Sequence, residues 1–91
     1  AGRQAARQCA INVIAQIKEA AGLDRVARLV RITVFVASTP DFTEQHLVAN
    51  GASDLLAEVF GAAGQHARVA VGTASLPLDA PVEVEAIVEL S

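Results

Sequence analysis

The chain has 91 residues and a formal charge of −3, and 53% of its residues are hydrophobic whereas 3% are aromatic. An acidic chain with so few aromatics has neither a basic stripe for phosphates nor a platform for stacked bases, so its composition does not favour nucleic-acid binding. Its single cysteine excludes an internal disulfide and a thiolate metal cluster, and no apolar run reaches the ~20 residues of a membrane helix. We therefore expect one domain over residues 1–91 that stays in the cytoplasm and contacts no membrane.

The hydrophobic residues are aliphatic, because the aromatic ones are limited to Phe35, Phe42 and Phe60. A single small domain has little interior in which to bury so many branched side chains. The excess therefore predicts an apolar surface that another subunit covers.

The first half of the chain predicts a helix followed by a strand. Apolar side chains recur on one helical arc from about Gly2 to Ala21, and Gly22 ends the pattern. The strand runs from about Leu29 to Ala37. Alternation places four aliphatic residues on one of its faces: Val30, Ile32, Val34 and Val36. The other face carries a mixed set: Arg31, Thr33 and Phe35. The all-apolar face should carry the helices.

A second helix and two further strands complete the pattern. Asp41 and Glu44 have the spacing of an N-terminal cap, which predicts a helix from there to about Phe60. Its core arc holds Val48, Ala52, Leu55, Leu56, Val59 and Phe60, with Asn50 on the solvent side and Ser53 at the border. The last strands are expected from about His66 to Gly72 and from about Val82 to Leu90. The predicted class is α+β, with two helices on one face of a sheet.

Arg68 is the strongest candidate for a binding residue. Strand alternation places it on one face with Ala70 and Gly72, so its guanidinium lies over a floor with almost no side-chain bulk. A guanidinium is always charged and offers a planar fork of donors that matches a carboxylate. The alternative is that Arg68 only forms an ion pair with Glu83 or Glu85 on a neighbouring strand, as many strand arginines do.

Other candidates are weaker. Glu83, Glu85 and Glu89 share a strand face, and such a row is often a solvated edge. His46 and His66 lack the close spacing of a metal pair, and we expect both to be surface residues.

Five segments resemble those of a known family in their order and spacing. Arg68 is followed by Leu76-Pro77 and by a last strand, from Val82 to Ile87, that alternates aliphatic residues with glutamate. Upstream, the strand pattern from Leu29 to Val36 is followed by Pro40-Asp41-Phe42. Together these segments resemble the reactive-intermediate deaminase family, which is called RidA or YjgF and often labelled endoribonuclease L-PSP.

The resemblance implies a RidA/chorismate-mutase-like fold, here in the order α-β-α-β-β, and a homotrimer with ligand sites in the clefts between subunits. Family members begin with a strand hairpin before the first helix. We expect the present chain to lack this hairpin.

The family's site residues carry over by position. Its carboxylate-binding arginine falls on Arg68, and the glutamate that orients the attacking water falls on Glu83. Ala70 stands where the best-studied branch has a cysteine, and Ser53 aligns with an asparagine of that branch. The resemblance thus implies catalytic roles for Arg68 and Glu83, a small-carboxylate site formed by Arg68, Ala70 and Ser53, and no metal or organic cofactor.

The implied reaction is the hydrolysis of enamines and imines, such as 2-iminoacids, to 2-ketoacids and ammonia. A non-catalytic module that senses a small carboxylate is the alternative, and the changes at Ala70 and Ser53 favour it. A ribonuclease, as the older label suggests, is disfavoured by the acidic charge.

Overall fold

A computed structural model describes residues 2–91 of the chain. Two helices and three strands alternate along it with three short 3₁₀ turns; these elements are α1 (Gly2–Ala20), β1 (Val26–Ala37), α2 (Gln45–Phe60), β2 (Ala67–Thr73) and β3 (Val82–Leu90). The class and the order α-β-α-β-β are those predicted from the sequence. Neither helix is both long enough and apolar enough to cross a membrane within the part of the chain that the structure describes.

The three strands form one mixed sheet in the order β2-β1-β3. The central strand, β1, is parallel to β2 and antiparallel to β3. The last two strands follow one another in sequence, but they lie at opposite edges of the sheet. Their connection therefore passes the end of β1, where the amide of Ala37 donates to the carbonyl of Pro81 at 2.9 Å.

Both helices pack on one face of the sheet, as the apolar side of the strand pattern predicts. The core consists of small and branched aliphatic residues from every one of the five elements except β2: Ala6, Ala10, Leu29, Ile32, Val34, Val36, Ala49, Ala52, Leu55, Leu56 and Val82. Gly51 lets the helices approach closely, because a side chain there would meet the backbone carbonyl of Arg3. The opposite face of the sheet carries no helix in residues 2–91.

The start of β1 differs from its predicted course. The strand begins at Val26, and Leu29 rather than Val30 enters the core, with 0% of its surface exposed. Leu29 pairs with Val88 while Arg31 pairs with Ile87, so β1 holds one extra residue at this point. This β-bulge reverses the alternation for Leu29 and Arg28, and a second register shift follows between Arg28 and Val26.

The second helix also differs from its predicted form. It begins at Gln45, and Glu44 at its N-cap makes no side-chain hydrogen bond, so the predicted cap at Asp41 is wrong. The Thr39 side chain instead favours the charged form of the Asp41 carboxyl and so lowers the pKa of Asp41. Within the helix, Val59 is 46% exposed while Ala49 and Gly51 are buried. The buried side of α2 therefore faces α1 in addition to the sheet, because both of them pack against this helix.

Candidate functional site

Arg68 lies on the helix-bearing face of the sheet, at its β2 edge. Its backbone is aligned with Ile32 of β1, whose side chain is buried beneath the helices. The Arg68 side chain extends toward α2, where its Nη1 donates to Asn50 Oδ1 at 2.6 Å and to Ser53 Oγ at 3.3 Å. Asn50 and Ser53 are three residues apart and so lie on the same side of the helix. Two polar side chains of α2 thus fix the guanidinium.

These contacts occupy only one of the three guanidinium nitrogens. Within residues 2–91, Nε and Nη2 of Arg68 have no hydrogen-bond partner, and no acidic side chain forms a salt bridge with this residue. Nε and Nη2 present parallel N–H groups on one edge, which is the geometry that binds a carboxylate through both oxygens. Because the side chain is exposed, a ligand can reach this edge.

Ser53 links Arg68 to a histidine. The Ser53 Oγ lies 3.0 Å from Nε2 of His66, and Nδ1 of the same ring contacts the carbonyl oxygen of Gly64. A carbonyl accepts only, so Nδ1 carries a proton, and Nε2 of the neutral ring accepts. The hydrogen bonds therefore run from Arg68 to Ser53, from Ser53 to His66, and from His66 to Gly64.

A cavity of about 200 Å³ opens beside this chain of hydrogen bonds. Its lining comes from the second half of α2, the turn after it and the start of β2: Ser53, Ala57, Gly64, Gln65, His66 and Arg68. Space at the turn depends on Gly64, since a side chain there would approach the Leu56 carbonyl oxygen to 2.5 Å. Cavities that hold drug-sized ligands measure roughly 300 to 1,000 Å³, so this one suits a smaller molecule.

Glu83 is remote from this cavity within one chain. It is aligned with Phe35 of β1 and lies on the open face, because its neighbours Val82 and Val84 face the helices. Arg68 lies on the other face and at the other edge. The alternative prediction, an ion pair of Arg68 with Glu83 or Glu85 on a neighbouring strand, is therefore wrong within a single chain.

The other predicted site residues divide between two places. Ser53 contacts Arg68 directly, whereas Ala70 is half-buried against the core and does not line the Arg68 cavity. Gly72 lines a separate cleft of about 350 Å³ near Ser38 and Gln45, at the opposite end of β2. The sequence predicted that Ala70 and Gly72 together form an open surface beneath Arg68. The structure instead packs Ala70 against the core and places Gly72 in the other cleft.

Comparisons with known proteins agree with this fold. Residues 1–90 match the family described as "YjgF/chorismate mutase-like, putative endoribonuclease". The chain belongs to the YjgF family. This membership accounts for the resemblance of the Arg68 strand, the Leu76-Pro77 turn and the last strand.

Individual relatives are similar over nearly the whole chain. Protein TCP17 of Trypanosoma cruzi is 59% identical over 92 residues, which cover 99% of this chain and 58% of that protein. The crystal structure of Atu1372, a protein with unknown function from Agrobacterium tumefaciens, has a TM-score of 0.96 and 52% identity, covering 99% of this chain and 59% of the other. A "putative endoribonuclease" from Shewanella oneidensis MR-1 has a TM-score of 0.93 and 36% identity, covering 98% and 60%. The chain thus spans about three-fifths of the length of these relatives.

The YjgF chain contains two site residues that the sequence analysis did not select. Asn50 was expected on the solvent side of α2, and it accepts a hydrogen bond from Arg68. His66 was expected at the surface, and it is half-buried and bonded to Ser53. The signal for His66 was its separation of two residues from Arg68, which places both side chains on the same side of an extended chain.

Cys9 has no part in the Arg68 cavity. Its Sγ lies 3.4 Å from the carbonyl oxygen of Val82, between α1 and β3. Burial raises the pKa of the Cys9 thiol, and the negative charge of Glu83 adds to the increase. Residues 2–91 also contain no cluster of three or more His, Cys, Asp or Glu side chains that could hold a metal ion.

Proposed function

We propose that this YjgF chain binds a small carboxylate on Arg68 and hydrolyses 2-iminoacids to 2-ketoacids and ammonia. The supporting observation is that Arg68 lines a cavity of about 200 Å³ and is held by α2 through Nη1 alone, so that Nε and Nη2 have no hydrogen-bond partner within residues 2–91. A guanidinium that its own chain already orients loses little conformational freedom when a ligand binds.

The reaction needs a bound substrate and a placed water molecule. A protonated imine carbon is already electrophilic, so orientation and proton transfer supply the main catalytic contributions. Arg68 holds the substrate carboxylate, and Glu83 orients the attacking water. The chemistry does not call for a metal or an organic cofactor.

Glu83 can take this role only from another copy of the chain, because it lies on the opposite face of its own sheet. We therefore propose a homotrimer whose sites lie between subunits. The open face supports association, since it carries partly exposed apolar residues on all three strands, among them Phe35, Val71 and Ile87.

A second candidate is a module that binds a small carboxylate without catalysis. Ala70 favours it, because no thiol is present at the position where the best-studied branch of the family has a cysteine. A ribonuclease gains less support, since Arg68 is the one residue with a fixed positive charge among those that line the cavity. The proposed location is the cytoplasm.

The test couples the full-length protein to an amino-acid oxidase that generates 2-iminoacids and follows their disappearance. We expect the wild-type protein to accelerate this decay, and the Arg68→Ala variant to lose the effect. Calorimetric titration with a 2-ketoacid separates the two candidates, because a sensor binds without turnover. If neither binding nor turnover depends on Arg68, the proposed function is wrong.

A further inference from the structure

Besides Arg68, the Arg68 cavity is lined by the polar side chains of Ser53, His66 and Gln65, and the first two of these are hydrogen-bonded to each other. We propose that Ser53 and His66 act as a proton relay for the reaction at Arg68. The inference rests on the proposed function and deepens it, since it assigns the proton transfers to named atoms.

The hydrogen-bond geometry supports a relay with a defined direction. His66 is half-buried and its Nδ1 is bound to Gly64, so Nε2 faces the Ser53 hydroxyl 3.0 Å away. Serine within a helix often bonds its hydroxyl to a carbonyl of the preceding turn. Here, Ser53 instead donates to His66 and accepts from Arg68, so it joins the two functional side chains.

Among the residues that line the cavity, His66 is the one suited to proton transfer. Arg68 stays charged at any physiological pH and cannot accept a proton. Gln65 and Ala57 do not titrate, and Ser53 needs a base to remove its proton. His66 is thus the lining residue whose imidazole can both accept a proton and return it.

The proposed steps balance for a protonated 2-iminoacid. Water bonds to the imine carbon through its oxygen, and the C=N electron pair moves to nitrogen, which gives a neutral amine. The water proton passes to the Ser53 oxygen while the Ser53 proton passes to Nε2 of His66. The relay then runs backwards and protonates the amine. The C–N bond breaks, ammonia leaves with its electron pair, and the hydroxyl group releases its proton to solvent as the C=O bond forms.

This role differs from that of Glu83, which we propose orients the water from a second copy. A relay within the chain explains why His66 is held by Gly64 on one side and Ser53 on the other. It also predicts that the relay residues affect turnover more than ligand binding.

The test compares His66→Gln with the wild-type protein in the oxidase-coupled assay. Glutamine can accept the Ser53 hydrogen bond but cannot carry a proton, so a purely structural role survives this substitution. We expect kcat to fall roughly 100-fold or more, the usual contribution of general acid–base catalysis, while KM changes by less than about threefold. Ser53→Ala should lower kcat in the same way, because Asn50 still holds Arg68. His46→Gln, a substitution at an exposed residue of α2, is the matched control and should leave kcat unchanged.

A His66→Gln variant that keeps wild-type kcat overturns the relay and leaves the proposed deaminase intact. A wild-type protein without 2-iminoacid turnover overturns both. The pH profile gives an independent readout. The wild-type rate should depend on one ionisation that is missing in His66→Gln, and an identical profile for the two proteins also contradicts the relay.

Discussion

Arg68 on β2 and Glu83 on β3 project from opposite faces of the same sheet, and β1 separates their strands. Neighbouring strands are about 4.8 Å apart, so the two side chains are divided by both the width and the thickness of the sheet. Any reaction that uses both groups therefore takes one from each of two subunits.

Subunit mixing tests this arrangement. Neither Arg68→Ala nor Glu83→Gln alone should retain turnover, but oligomers assembled from equal amounts of the two should regain it. In a closed ring, a site is intact when a subunit with Arg68 adjoins one with Glu83. Random assembly then gives about a quarter of the wild-type sites. Assay after joint refolding is the measurement, and complete inactivity of well-folded mixed oligomers would show that the site is not shared.

The proposed carboxylate-binding role of Arg68 predicts a specific order of affinities. Arg68→Ala should weaken 2-ketoacid binding roughly 10- to 150-fold, which corresponds to the loss of about 1.5 to 3 kcal/mol from a charge-assisted hydrogen bond. Arg68→Lys should recover little of this, because an ammonium lacks the planar fork. Arg28→Ala is the control, since Arg28 is also exposed on a strand and is bonded to Glu89 at 3.1 Å. Equal affinities for the Arg68 and Arg28 variants in calorimetric titration contradict the assignment.

The side chain at position 50 should control the affinity of Arg68 for the proposed carboxylate ligand. Its Oδ1 is a neutral acceptor 2.6 Å from Nη1, so it orients the guanidinium without cancelling its charge. Asn50→Asp places a carboxylate at the same point, where it competes with the ligand. We expect Asn50→Asp to weaken 2-ketoacid binding several-fold more than Asn50→Ala does, and raised salt to reduce the difference. Tighter binding by Asn50→Asp would mean that the ligand does not bind through its negative charge.

Alternation and helical periodicity were sufficient to predict the fold class and the apolar face of β1. They could not predict the β-bulge at Val30, because one extra residue in the strand changes which neighbours face the core without changing the composition of the segment. The sequence pattern also could not predict that β2 and β3 both pair with β1. Two strands joined by a short connection usually pair with each other.

The candidate site was predictable in part. Arg68 and Ser53 were selected, and the structure brings them into contact. His66 was set aside because it lacks the spacing of a metal pair with His46, and Asn50 because helical periodicity places it on the solvent side of α2. Their role depends on the crossing of α2 over β2, which is a tertiary relationship. The opposite orientation of Glu83 depends on strand order, which a single sequence does not specify.

The bulge in β1 makes a prediction about stability. Leu29→Ala removes a side chain that is fully buried, whereas Val30→Ala changes a half-buried residue at the extra position. We expect Leu29→Ala to lower the free energy of unfolding by about 2 to 5 kcal/mol and Val30→Ala by much less. Chemical denaturation of the two variants measures this difference. The original alternation, with Val30 in the core, predicts the reverse order.

Cys9 offers a final test that separates packing from catalysis. Burial and the charge of Glu83 raise the pKa of the thiol, so the reactive thiolate fraction at neutral pH is smaller than for a free cysteine. Iodoacetamide should therefore modify Cys9 slowly, as followed by intact mass. Glu83→Gln removes the charge and lowers the pKa, so alkylation should accelerate modestly because burial, the larger cause, remains. Glu85→Gln, two residues along the same strand, should have a smaller effect.

Since Cys9 does not line the Arg68 cavity and position 70 is alanine, fully alkylated protein that keeps its fold should also keep its turnover. Loss of turnover on alkylation of folded protein would place the site near Cys9 instead of Arg68.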